Sequence, residues 1–374
     1  MRKLKIVLVG TGSIAGYHVR PHADPGEVMF PHNEAEFTAV MDVDLGRAQA
    51  FAKKYEIPHV YSDALEMFSQ ETPDIVCIAT PPAYHVDLSI RAMEAGAWVL
   101  CEKPLCVSLA ELDRIAAVEE ATGCYCSSVA QFRFGSVPQH LKQIVESNLM
   151  GRVLVGTCHS NWYRSQDYYE AEWRGTWEKE LGGTTLNHGI HAMDMFLWTM
   201  GEWKEVQASI ATLDHDIETE DISVATVVFE NGALGSVLNS TLCPKQNTYV
   251  RYDFQEGTAW TEGAQYDMLK DKWHFHTLDC VDTKSRRQFS EVEGDDLTQH
   301  CTQLGNMIQD FHAKQRPLVS GIEARRTIEF ISALYKSAAT GVPVARGSIR
   351  KGDPFYDHVG GSFAQSYHKL SLVS

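Results

Sequence analysis

Leu4-Lys5-Ile6-Val7-Leu8-Val9-Gly10-Thr11-Gly12-Ser13-Ile14-Ala15 reads as a strand running straight into a glycine turn. Residues 4–9 are short, apolar and β-branched, the composition of a strand buried on both faces of a parallel sheet. Gly10, Gly12 and Ala15 then match G-x-G-x-x-G/A, with Ser13 and Ile14 inside the turn. In that pattern the first glycine permits the tight turn and the second lets the backbone approach a pyrophosphate. The phosphates sit where the following helix leaves its first N–H groups unpaired. The pattern is weak alone; a strand before it and a helix after it make it a dinucleotide site.

The same grammar continues outward. Phe37 to Met41 is a second strand ending at Asp42, and residues 45–55 are helical. Val60-Tyr61 is a third strand, and Ile75 to Ala79 a fourth that ends at Thr80-Pro81-Pro82. A helix over 85–95 begins at His85, and Trp98 to Cys101 is a fifth strand ending at Glu102-Lys103-Pro104. Residues 108–121 form a helix, with Ser108 as N-cap and Glu111 at capping-box spacing. Strands alternating with helices imply a doubly wound parallel sheet. Such sheets bind ligands at the carboxyl ends of their strands. Thr80, Pro81, Pro82, His85, Glu102 and Lys103 therefore join the glycine turn as candidate cofactor contacts, although Pro82 alone reads more simply as a rigid turn before a helix.

Asp42 ends the second strand, where a carboxylate accepts ribose hydroxyls and repels a 2′-phosphate. It favours NAD over NADP; Arg47 nearby weighs the other way. The step of 30 from Gly12 to Asp42 exceeds the spacing of roughly 20 expected. A Pro-, His- and Gly-rich insertion over 21–35 accounts for the excess.

After about residue 150 the pattern changes. Residues 153–162, 204–213, 221–230 and 233–242 read as strands with little helix between them, and Asn231-Gly232 is a hairpin signal. Helical patterns return at 297–313 and 322–340, followed by a polar tail over 345–374. The expectation is a second, α+β domain with a mostly antiparallel sheet. The division falls at 1–130 and 131–374, with the final helices and tail able to pack back on the first domain.

Bulk properties restrict the function classes. A chain of 374 residues is long enough for two domains. A net charge of −16 argues against nonspecific binding to nucleic acid or an anionic membrane. No apolar run approaches the roughly 18 residues of a membrane span, and the N-terminal run is too short for a signal peptide. The nine cysteines are scattered, and Cys124-Tyr125-Cys126 is too tight for a zinc pair. Reduced thiols, a cytoplasmic location and no metal are expected.

Two further stretches carry chemistry. Pro104 restricts Lys103 to extended conformations, which aims a cation at the strand ends. The run Gly182-Gly183-Thr184-Thr185-Leu186-Asn187-His188-Gly189-Ile190-His191-Ala192-Met193-Asp194 gathers polar groups on a segment that continues as an apolar helix. Helical spacing puts Asn187, His191 and Asp194 near one face. A neutral imidazole suits a base that takes a hydroxyl proton near pH 7. The plain alternatives are a solvated lysine and a histidine satisfied in the core.

Together these motifs resemble the Gfo/Idh/MocA oxidoreductase family over most of the chain. Weaker matches are Gln131-Phe132-Arg133-Phe134, Trp173-Arg174 and Ala333 to Val344. The resemblance implies an N-terminal Rossmann domain and a C-terminal open sheet that carries the substrate and often the oligomer interface. It further implies that Lys103 binds the reacting hydroxyl and the cofactor, and that His191 is the general acid/base. Many members have aspartate where this chain has Asn187, which can neither take a proton nor supply a charge. Asn187 is expected to hydrogen-bond a substrate hydroxyl, and Asp194 either to orient His191 or to serve packing.

The expected activity is NAD-dependent oxidation of a secondary hydroxyl of a sugar, cyclitol or glycoside. Arg133, Tyr163, Trp173, Arg174, Asn187, His188, His191 and Lys103 are the candidate substrate contacts. The aromatic stretch 161–174 could wall a sugar pocket or form a structural cluster. Two alternatives stay open: an NAD-dependent glycoside hydrolase with transient oxidation, and a non-catalytic NAD sensor, which would need neither Lys103 nor His191. A homodimer or tetramer is expected.

Overall fold

The structure is a computed structural model that describes residues 2–19, 34–361 and 363. The expected insertion lies outside the described residues as far as position 33, and so does the tail at 362 and from 364 onward. The chain divides into two compact units. One runs up to Gln131 and adds Gln299–Arg325; the other comprises Phe132–Thr298 and the residues from Arg326 on.

The first unit holds six strands: β1 (Leu4–Val9), β2 (Ala35–Met41), β3 (His59–Tyr61), β4 (Ile75–Ile78), β5 (Trp98–Cys101) and β6 (Cys126–Ser128). All pair in parallel, in the order β3-β2-β1-β4-β5-β6. This is the doubly wound order, with its switch point between β1 and β4. Every residue of β4 and β5 is buried, as a sheet covered on both faces requires. The helices are α1 (Gly16–Val19), α2 (Leu45–Tyr55), α3 (Ala64–Glu71), α4 (His85–Glu94) and α5 (Leu109–Thr122). Ser108 caps α5 by accepting from Glu111 N–H at 3.1 Å, and the Glu111 carboxylate reaches back to Val107 N–H at 2.9 Å. Strand β6 and helix α3 are additions to the sequence reading; Cys126-Ser127-Ser128 has no β-branched signal at all.

The second unit opens with α6 (Ser136–Ser147), β7 (Val153–Asn161) and α7 (Ile190–Met200). It continues with β8 (Trp203–Ala211), β9 (Ile222–Phe229), β10 (Leu234–Ser240), β11 (Asn247–Phe254), β12 (Gly257–Gly263), β13 (Trp273–Thr277) and α8 (Thr283–Ser290). Helix α9 (His300–Ala313) belongs to the first unit; α10 (Ile322–Thr340) and β14 (Val344–Ala345) follow. The sheet order is β13-β12-β11-β7-β10-β9-β8-β14. Every pairing is antiparallel except that of β7 with β10. Asn231-Gly232 does turn β9 into β10, with Gly232 at φ +86°. Strands β11 to β13 escape a sequence reading because Arg251, Asp253 and Glu262 break up the apolar signal, although Val250, Tyr252 and Phe254 alternate inward.

Helix α7 is buried along its whole length, consistent with its nearly all-apolar sequence. It lies close to the sheet because Gly156 and Gly235, partners on β7 and β10, carry no side chain. A Cβ on Gly156 would lie 2.5 Å from the Phe196 ring. One charged residue sits inside this helix, Asp194. It is met by Arg133, itself wholly buried, through Nε to Oδ2 at 2.7 Å and Nη2 to Oδ1 at 2.8 Å, and by Thr327 Oγ1 at 2.6 Å. Removing one member of such a buried pair costs about 3–5 kcal/mol.

Candidate functional site

In the first unit the glycine turn leaves the carboxyl end of β1. Gly10 has φ +91°, and a Cβ there would lie 2.6 Å from the Ala79 carbonyl oxygen. A side chain is thus excluded twice, by conformation and by the neighbouring strand end. Among the described residues Gly12 instead faces open space: a Cβ there would meet none of their atoms within 4 Å. Ser13 is exposed beside it, while Ala15 is fully buried and packs the turn. Gly12 therefore leaves room for a phosphate against the backbone.

Asp42 ends β2 and turns back on this loop. Its Oδ2 accepts from Thr11 N–H and Thr11 Oγ1, each at 2.9 Å, and its Oδ1 accepts from Asp44 N–H at 2.9 Å. Asp44 caps α2. Burial pushes the Asp42 carboxyl up, but the Asp44 and Thr11 bonds and Arg47 outweigh it and hold it below its ordinary value. Arg47 Nη2 lies 3.2 Å from Asp42 Oδ1. The arginine is therefore turned onto the carboxylate and does not stand apart as a phosphate ligand. An ionised carboxylate beside a glycine turn fits an adenine ribose with a free 2′-hydroxyl.

Thr80 and Pro81 lie at the end of β4, and Pro82 opens the helical turn that leads into α4. His85 is corrected from a cofactor contact to a strut. Its ring is fully buried, with Nδ1 2.8 Å from the Pro104 carbonyl and Nε2 2.8 Å from the Thr80 carbonyl. It ties the loop after β4 to the loop after β5. Burial pulls this imidazole below its ordinary value, against the pull of the two carbonyls.

Lys103 is half-buried just past β5, and its bond to Pro104 is cis. The preceding Glu102 is also corrected: its carboxylate points into the protein. Oε1 accepts from His18 Nε2 at 3.0 Å, His300 Nε2 approaches the same oxygen at 2.9 Å but off the hydrogen-bond direction, and Oε2 accepts from Lys103 N–H at 3.2 Å. Burial raises this carboxyl, but His300 and His18 hold it well below its ordinary value. Among the described residues this is the one group of three whose donor atoms crowd within 4.8 Å as metal ligands would. His18 Nδ1 is buried with no partner among the described residues, so among them an ion on Nε2 would force an unpaired N–H at Nδ1. A hydrogen bond from Nε2 leaves Nδ1 as a bare lone pair, the cheaper arrangement. The cluster is read as a hydrogen-bonded support under Lys103.

In the second unit the run from Gly182 does not enter a plain α-helix. Thr185–Gly189 forms a π turn that leads into α7, a distortion that concentrates at functional sites. The π turn changes the helical spacing between Asn187 and His191, and Asp194 is engaged by Arg133 and Thr327. Arg133 is likewise corrected from a substrate contact to the partner of Asp194. Asn187 Nδ2 donates to the carbonyl of Gly182 at 2.7 Å and to that of Gly183 at 3.3 Å. Its amide nitrogen is thus turned to the backbone.

His191, the second residue of α7, sits in an aromatic enclosure. Trp162 stacks on it with centroids 5.9 Å apart, Tyr266 meets it edge-on at 5.3 Å, and Phe132 lies at 5.8 Å. Tyr163 is the aromatic expected here from the sequence, and its neighbour takes the place. Strand alternation continues past β7, so Trp162 faces inward and donates Nε1–H to Thr248 Oγ1 at 2.9 Å, while Tyr163 faces out. Trp173 is exposed, with the Arg174 guanidinium 4.0 Å over its ring.

Beside His188 lies a cluster of which the sequence names His188 and Arg174 but not Glu180. Tyr168 Oη is 3.2 Å from His188 Nε2, Arg174 Nη1 donates to the same hydroxyl, and Arg174 also pairs with Glu180 at 3.3 Å. Burial pushes Glu180 up to about 7, opposed by the Gly175 N–H and Arg174. No motif marks Glu180; only its closeness to Gly182-Gly183 is visible in the sequence. The folded protein keeps this proton to about pH 7, whereas an ordinary glutamate releases it near 4.5. The unfolded state binds fewer protons in that window, so stability falls as pH rises through it. Glu180→Gln removes the slope. In urea denaturation the variant gains on the wild type by up to about 3 kcal/mol between pH 5 and pH 8. Parallel pH dependences would refute the shift.

Comparison with known proteins agrees with both units. Residues 4–130 match the family model described as an oxidoreductase family with an NAD-binding Rossmann fold, and residues 138–259 match the GFO/IDH/MocA C-terminal domain. The chain belongs to the Gfo/Idh/MocA family. Its first unit is an NAD-binding Rossmann domain, its cofactor is NAD, and it is an NAD-dependent dehydrogenase. Similar proteins include D-glucoside 3-dehydrogenase of Escherichia coli, 28% identical, covering 91% of this chain and 97% of that protein. Inositol 2-dehydrogenase of Salmonella typhimurium is 28% identical over 77% of this chain and 86% of its own length. Among solved structures, the WlbA dehydrogenase of Chromobacterium violaceum, in complex with NADH and UDP-GlcNAcA, has a TM-score of 0.78 at 26% identity. It covers 94% of this chain and 98% of its own. This Gfo/Idh/MocA chain has nine unpaired cysteines, and among its described residues no helix is long and apolar enough to cross a membrane.

Proposed function

We propose that this dehydrogenase oxidises a secondary hydroxyl of a sugar, cyclitol or glycoside to a ketone, or reduces the ketone in reverse. The observation that carries the reading is His191, set between Trp162, Tyr266 and Phe132 at the end of a π turn. Aromatic faces pack on the C–H surfaces of a sugar ring, and the imidazole is the group able to take a hydroxyl proton. Lys103 Nζ holds the reacting oxygen and stabilises the negative charge that grows on it as the proton leaves. NAD, when bound, supplies the hydride acceptor. Asn187 Oδ1 accepts from a neighbouring hydroxyl of the substrate, and His188 with Tyr168 and Arg174 orients the remainder. Gly10, Gly12, Ser13, Asp42 and Thr80 hold the dinucleotide. Two dehydrogenases similar to this chain are named for a glucoside and an inositol, which supports the substrate class.

The test is NADH formation across a panel of inositols, aldoses, anhydrosugars and glucosides, with NADP in parallel. A rate with NAD on one class supports the reading and names the substrate. Sugar release from a glycoside without net NADH would replace it with redox-neutral hydrolysis.

The outward face of the second sheet presents Val155 at 46%, Val224 at 47% and Leu234 at 57% exposure on the adjoining strands β7, β9 and β10. An apolar strip of this kind is covered in a homo-oligomer. Light scattering is expected to give a dimer or tetramer; a monomer at micromolar concentration would overturn that assignment.

A further inference from the structure

We propose that Glu220 is a positioning residue that sets the backbone bearing Asn187, His188 and His191. The proposal rests on the reading of His191 as acid/base. Glu220 precedes β9 and is completely buried. Three consecutive N–H groups of the turn end on it. Gly183 N–H donates to Oε2 at 3.1 Å, Thr184 N–H to the Glu220 carbonyl at 3.1 Å, and Thr185 N–H to Oε1 at 2.9 Å. The first N–H groups of any helical turn lack partners within it, so Glu220, from a distant segment, caps two of them with its carboxylate and the third with its carbonyl. Tyr335 Oη adds a fourth bond, to Oε1 at 2.8 Å.

Gly183 makes the approach possible. A Cβ there would stand 2.0 Å from the Glu220 carbonyl oxygen and 2.7 Å from its carboxyl. The paired glycines of the motif thus have a partner, 37 residues downstream, that the motif does not contain. Burying an ionised carboxylate is expensive, and burial does push this one up against the bonds from Thr185 and Tyr335. Only a carboxylate accepts on both oxygens. Glutamine would turn an NH2 toward one of the two backbone N–H groups. The displaced turn would carry His191 with it, and an error of about 1 Å at a reacting group costs on the order of 100-fold in rate.

The experiment is steady-state kinetics of Glu220→Gln and Tyr335→Phe on the substrate found in the panel, with His191→Asn alongside. Active sites are counted by NADH titration. Glu220→Gln is expected to lower kcat about 30- to 100-fold and to shift the pH at which kcat is half-maximal by about 0.5 unit, with NADH affinity unchanged within about 2-fold. Tyr335→Phe, which loosens the carboxylate and leaves both backbone bonds, lowers kcat about 3- to 10-fold. A folded Glu220→Gln with wild-type kcat and pH profile overturns the proposal. If that variant does not fold, Tyr335→Phe decides: a kcat equal to wild type overturns it. Full activity in His191→Asn with a slow Glu220→Gln overturns the acid/base reading alone. The opposite pattern overturns the Glu220 proposal alone.

Discussion

Replacing Lys103 with alanine is expected to lower kcat by about 1,000-fold or more while NADH still binds within about 10-fold of wild type. The asymmetry follows from where the binding and the chemistry reside. In the proposed site the dinucleotide rests on the glycine turn at Gly10 and Gly12, with Asp42 locked onto Thr11, and not on Lys103. In the proposed mechanism the lysine cation serves the oxygen that becomes negative in the transition state, so its removal is expected to act on kcat more than on cofactor affinity. The Lys103 backbone is held independently of its side chain, by Glu102 on its N–H and by His85 on the Pro104 carbonyl. Truncation therefore leaves the loop in place. Fluorescence titration with NADH and initial-rate kinetics check both halves. A kcat within 10-fold of wild type would remove Lys103 from the mechanism.

His191→Asn is expected to lower kcat by about 100- to 10,000-fold and to flatten the rise of rate with pH that an imidazole base imposes. Below its titration the ring is protonated and cannot accept the hydroxyl proton, so wild-type oxidation slows as pH falls. Without the ring this limb disappears, and the residual rate follows hydroxide. The melting temperature separates chemistry from packing, because the ring also fills the space between Trp162, Tyr266 and Phe132. A variant that melts like wild type and keeps its pH limb would show that the base is another group.

Much of the first unit was legible in the sequence because its signals are local. An apolar run followed at once by Gly10 and Gly12 specifies a buried strand and a turn, whatever surrounds them. Ser108 and Glu111 define a helix start within four residues. Asn231-Gly232 sets a hairpin because Gly232 takes the positive φ, +86°, that the turn needs. The elements that escape a sequence reading have weak or broken patterns: β6 is Cys-Ser-Ser, and β11 interleaves Arg251 and Asp253 with its buried residues.

At the site, residue types were visible and their commitments were not. Sequence by itself determined the parallel Rossmann unit, the mostly antiparallel second sheet, the NAD preference from Asp42, and Lys103 and His191 as the reactive candidates. Only the tertiary structure decided that Arg133 belongs to Asp194, that His85 and Glu102 are internal struts, and that Trp162 rather than Tyr163 meets His191. It alone brought Glu220 under Gly183. The physical reason is range. Caps, turns and strand periods depend on neighbours a few residues away, whereas a buried charge is satisfied by whatever partner folding brings to it, here from as far as 133 residues along the chain.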